Sequence, residues 1–184
     1  MLPRSTPHFT ATTSLKWLDA DAEWFSELET TQAFTIAEKV HLVRVALQQQ
    51  WICDVEDTPR NREALDALGL HVIASSEGFL IVSGNAAFAE YVTFREDSIQ
   101  TAEVGILYGF PPSAALAHTG VIEAEQTHPW PKTVARYFLG GVYSADSKEY
   151  EYSIFEQQWK QIERVAPAIT KQADEEYERS SQSN

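Results

Sequence analysis

Val104-Gly105-Ile106-Leu107-Tyr108-Gly109-Phe110-Pro111-Pro112-Ser113-Ala114-Ala115-Leu116-Ala117-His118-Thr119-Gly120 contains no formally charged residue in an otherwise acidic chain. Two aromatics and two prolines sit between two short apolar runs. The residue before a proline avoids helical backbone, so the first run ends by Phe110. Proline at a first helical position loses no intrahelical hydrogen bond, so Pro112 opens the second run, and Gly120 closes it. The stretch reads as a sharp corner inside the core, joining two helices that do not face solvent. It is also the expected wall of a pocket, and it names no reaction.

Working outward from the corner, the other elements carry their own signals. Thr13-Ser14 precedes a first helix with Trp17, Trp24, Phe25 and Leu28 inward, interrupted at Asp19-Ala20-Asp21. Thr35-Ile36-Ala37-Glu38 is a capping box, and Ile36, Val40, Val43 and Leu47 follow it as one apolar stripe. Thr58-Pro59 opens a third helix that Gly69 ends. His71 to Ser75 and Phe79 to Ser83 flank Ser76-Glu77-Gly78 as a hairpin. Asn85 caps a helix over 86–92, although 91–94 also suits a strand.

Asp97 or Ser98 caps the helix that runs into the corner. Residues 121–131 are expected to form a loop, followed by a helix from Lys132 to Leu139. Asp146 or Ser147 caps the last long helix, with Ile154, Phe155, Trp159, Ile162 and Val165 inward, and Pro167 kinks or breaks it. Residues 1–13 read as an extended arm and 179–184 as a frayed tail. The expectation is one domain over 1–184. Its class is α+β, mostly α: about six helices packed around a small antiparallel β-hairpin.

Composition sets further bounds. There are 27 acidic residues against 14 basic ones, for a net charge of -13. That field repels phosphate backbones, and the nearest basic pair, Arg60 and Arg62, is flanked by Asp54, Glu56, Asp57 and Glu63, so nucleic acid is not an expected partner. No uncharged apolar run approaches the ~18 residues that a membrane span needs. Cys53 is the one cysteine, so an intrachain disulfide is impossible. With no apolar leader after Met1, the expected location is the cytoplasm.

Few lysines among many carboxylates is similar to the composition of proteins from salt-loving archaea, whose hydrated acidic surfaces stay soluble in salt. The element Gly105 to Pro111 resembles a Gly-Tyr/Phe-Pro element of small archaeal proteins of that halophile type. In that pattern cysteines closely follow the proline; here Pro112-Ser113-Ala114 stands in that place without a thiol. The resemblance covers about a tenth of the chain and implies no activity.

Phosphate-loop, dinucleotide, paired-histidine zinc-helix and Gly-x-Ser-x-Gly motifs are absent from the sequence. Tyr108, Phe110, Trp130, Tyr137 and Phe138 are aromatic candidates for a pocket at the proline corner, with His118 and His128 as polar groups at its rim. This favours a ligand- or partner-binding, regulatory protein that is not an enzyme and needs no cofactor. Its partner would be a small molecule or a protein; a basic protein docking on the acidic last helix is one form of the latter. The alternative is a small metal-dependent hydrolase. Its His118, Glu123 and His128, with Glu125 beside them, would hold a divalent transition metal that activates water. Cys53 as a nucleophile and Glu151, Glu156 and Glu163 as acid–base groups are weaker candidates. Packing and solvation respectively account for them.

Overall fold

A computed structural model describes residues 17–74, 78–89, 101–125 and 133–182. The chain folds as α+β, mostly helical, with a three-stranded antiparallel sheet. The described residues form nine helices rather than about six, because what reads as one helix or as irregular chain is divided by caps and prolines. Helix α1 is Ala22–Thr30. The Asp19-Ala20-Asp21 interruption is its start: Asp21 accepts from Trp24 N at 3.0 Å.

Helix α2, Ile36–Ala46, has the capping box in full. Glu38 also reaches across the fold, accepting from the Glu56 backbone N–H at 2.8 Å. The expected single stripe understates α2, since Lys39, Leu42, Arg44 and Val45 are buried as well as Val40 and Val43. It is buried on nearly all sides because it lies between the sheet and the C-terminal helices.

Strand β1, Ile52–Glu56, is unforeseen by the sequence reading. Helix α3, Pro59–Ala67, follows, capped by Thr58. Strands β2, His71–Ala74, and β3, Phe79–Ser83, are the expected hairpin. The order is β1-β3-β2, with Ile52 opposite Ser83 and His71 opposite the same residue. The hairpin therefore does not stand alone: its inner strand is covered on both edges. Helix α4 is described over 86–89, and Asn85 Oδ1 accepts from Ala87 N and Phe88 N. Helix is thus the correct reading there; the remainder of 86–94 lies outside the described residues.

After the corner, β4 (Ala124–Glu125), which lies inside the stretch expected to be loop, pairs with β5 (Tyr143–Ser144). Helix α7, Val134–Leu139, starts at its Thr133 cap. Helix α8, Lys148–Val165, ends at Ala166, and Pro167 begins α9, which runs to Gln182. Helix α9 thus takes in residues 179–182 of the expected tail. Ile169 and Ala173 bury completely, which ties α9 down. Glu29 fastens the same helix, accepting from Ala168 N at 2.8 Å while its carbonyl accepts from the buried Lys39 Nζ at 2.9 Å. The main core joins α1, α2 and the sheet to Phe138, Phe155, Trp159, Ile162 and Ile169. Among the described residues no helix is long and apolar enough to cross a membrane.

Candidate functional site

The corner is built by two short helices, α5 (Thr101–Leu107) and α6 (Pro112–His118). Helix α5 closes through Gly109 N–H to Ile106 O (2.9 Å) and Phe110 N–H to Gly105 O (3.0 Å), with Gly109 left-handed at φ +82°. Gly120, at φ +73°, closes α6 in the same manner, with Val121 N–H on Leu116 O.

The corner is not wholly inside the core. Leu107, Pro111, Ala114, Ala115 and Ala117 are buried, but Tyr108, Gly109 and Phe110 are half-buried, and Ile106, Pro112 and His118 are exposed. The corner instead roofs a cavity at the edge of the core.

That cavity has a volume of about 320 Å³. Thr101, Val104 and Gly105 of α5 form one wall, and Ala114, Ala115 and His118 of α6 form another. Tyr108 and Phe110 supply aromatic surface, and Gly141 and Val142 close the side toward β5. The glycines make the space. A β-carbon on Gly141 would stand 2.6 Å from Phe110 Cε1, so the ring lies directly on that backbone. A β-carbon on Gly105 would come within 3.1 Å of Ala115 Cβ, so α5 and α6 touch closely there.

Polar bonds hold the roof in place. Tyr108 donates its hydroxyl to Asp54 Oδ1 on β1 at 2.5 Å, and Trp51 N–H donates to Leu107 O at 2.8 Å. Burial pushes the Tyr108 phenol up, and the Asp54 bond adds to that, so it stays protonated. Behind Gly109 lies the buried Arg44, whose Nη2 donates to Gly109 O (3.3 Å) and Gln158 Oε1 (3.2 Å). Burial lowers its guanidinium to about 10, still charged at neutral pH. Gln50 Nε2 donates to His41 O at 3.1 Å, which turns Gln50 Oε1 toward His41 Nδ1 at 3.3 Å. With the amide so oriented, the ring carries its proton on Nδ1. Burial, then Arg44, lowers His41 to about 4, so it is neutral.

A second buried polar knot ties the far side of α6. Glu151 on α8 is completely buried. It accepts from Ser113 Oγ (2.5 Å), Ser144 Oγ (2.7 Å) and Ser144 N (3.0 Å). This corrects its reading as a solvated helix carboxylate. Nothing in its sequence neighbourhood separates it from exposed Glu163.

The structure brings Tyr108, Phe110 and His118 to one cavity, as expected. Tyr137 is exposed and packs on Tyr177, while Phe138 stacks on Trp159 in the core, so neither belongs to the wall. His128 and Trp130 lie outside the described residues. Of the metal set, His118 and Glu123 are both exposed, and Glu125 closes β4. Among the described residues no three His, Cys, Asp or Glu side chains converge to hold a metal ion. Cys53 is fully buried and its thiol is pushed up by that burial, then by Asp54, which removes the thiolate a nucleophile requires. Thr101, Gly141 and Val142 were missed as lining residues. The sequence signal available was the cluster of small residues at Gly105, Ala114-Ala115 and Gly140-Gly141. No family model matches the chain, and neither do curated proteins or solved structures.

Proposed function

We propose that this chain is a non-enzymatic binding protein that takes a small apolar molecule into the cavity beneath the Tyr108–Phe110 corner. One observation carries the reading: a recess of about 320 Å³, walled by apolar and small residues, with His118 and Thr101 as its few polar groups. Ligand sites of soluble proteins have that make-up. The wall is also secured from outside by Asp54, Arg44 and the Trp51 backbone, so it is organised before anything enters. We further propose a reducing, cytoplasmic setting, in which the buried Cys53 thiol persists.

The test is melting temperature against a panel of small molecules, for the wild type and for Val142→Phe, which fills the recess. Compounds that stabilise the wild type alone are expected. If both proteins respond alike to every compound, the recess is not the binding site.

A further inference from the structure

Resting on that reading, we infer that the cavity's ligand is a neutral, flat aromatic molecule of about two fused rings with one polar end. Size comes first. A cavity of about 150 Å³ accommodates one benzene ring, and this one measures about 320 Å³. Shape comes second. Gly105 and Gly141 offer bare backbone, Ala114 and Ala115 offer only methyl groups, and the Phe110 ring closes on Gly141. With the Tyr108 and Phe110 rings beside these small residues, the wall supports offset or edge-on packing of a further ring.

Charge comes third. None of the described lining residues is Asp, Glu, Lys or Arg. A carboxylate or phosphate buried there would lack a counter-ion, and a cation would lack a carboxylate. Arg44 stands behind Gly109 and bonds to its carbonyl, outside the lining. The Tyr108 proton is committed to Asp54, so the phenol oxygen can only accept. That oxygen or the His118 ring suits a hydroxyl at the polar end of the ligand.

The experiment is calorimetric titration of the full chain at neutral pH with 1-naphthol, 1-naphthoate and 1-octanol. Each is run on the wild type, on Val142→Phe, and on Val104→Phe, which fills the cavity from the opposite wall should the first variant not fold. The expected result is one-to-one binding of 1-naphthol, at least tenfold weaker in either filled variant, with 1-naphthoate at least tenfold weaker than 1-naphthol. Equal or tighter binding of 1-naphthoate overturns the inference, because it would mean that the Arg44 charge reaches the ligand. Tighter binding of 1-octanol, lost on filling, overturns the aromatic class while leaving the cavity as a binding site. Probes that fail to bind, or that bind the filled variants unchanged, overturn both.

Discussion

Arg44 brings a charge into the interior and donates there to neutral partners, the Gly109 carbonyl and the Gln158 amide oxygen. Its Nε has no hydrogen-bond partner among the described atoms. Beside it, His41 is kept neutral by burial first and by Arg44 second. The folded pKa of about 4 lies below the ordinary 6.5, so the unfolded chain binds the proton first. The stability from neutral His41 is therefore complete above pH 6.5 and is lost as pH falls toward 4, amounting to about 3 kcal/mol. Urea unfolding of wild type and His41→Gln at several pH values should show that extra slope in the wild type alone. Gly109 is the other exacting position. Its φ of +82° and the Gln49 carbonyl, 2.5 Å from any added β-carbon, leave no room for a side chain. Gly109→Ala is expected to destabilise by at least about 2 kcal/mol in the same assay, through left-handed strain and the clash together.

Helix ends account for much of what could and could not be read from the sequence. Gly69, Gly109 and Gly120 each close a helix with the same pair of backbone bonds, and Gly69 and Gly120 were legible because glycine advertises that conformation. The end of α2, read at Gln48-Gln49-Gln50, carries no glycine. There Gln49 N–H bonds Arg44 O while Gln48 takes the left-handed position at φ +58°. Gln48→Gly should raise stability by about 1 kcal/mol, seen as a higher urea midpoint with unchanged slope. Strand β1 was hidden because Ile52-Cys53-Asp54-Val55-Glu56 is short and buries Ile52 and Cys53 in succession, breaking the alternation. Pairing with β3, a non-local event, makes it a strand. The two-residue strands β4 and β5 fall below any periodic signal. Glu151 joins α6, β5 and α8, and Glu151→Ala would strand two buried donors on Ser144 and the half-buried Ser113 hydroxyl. A loss of about 3 kcal/mol is expected, measured by thermal unfolding.

For the whole molecule, the class was legible and the plan was not. Helix stripes and one hairpin suffice to say mostly α with a small sheet. That α2 sits at the centre depends on which faces meet, which periodicity does not encode; Lys39 and Arg44 in its sequence argue for exposure, yet both are buried. The corner was found because two prolines and an uncharged run are local facts. Its half-buried position follows from packing against the loop at Gly141, which is distant in sequence. The net charge of -13 acts at this scale too. Repulsion among surface carboxylates opposes the compact state and is screened by salt. The melting temperature is expected to rise by several degrees between 0.1 and 2 M KCl, as measured by scanning calorimetry, and a falling value would count against the salt-adapted surface.

The attachment of α9 governs the order of events during synthesis. Ile169 and Ala173 complete the core around α2, and Glu29 waits for the Ala168 amide. While a ribosome is still translating that segment, the apolar side chains that Ile169 and Ala173 cover in the folded chain lack that cover. The molecule therefore matures only after residue 173 has left the exit tunnel, and messages truncated before that point would yield sticky chains suited to chaperone capture.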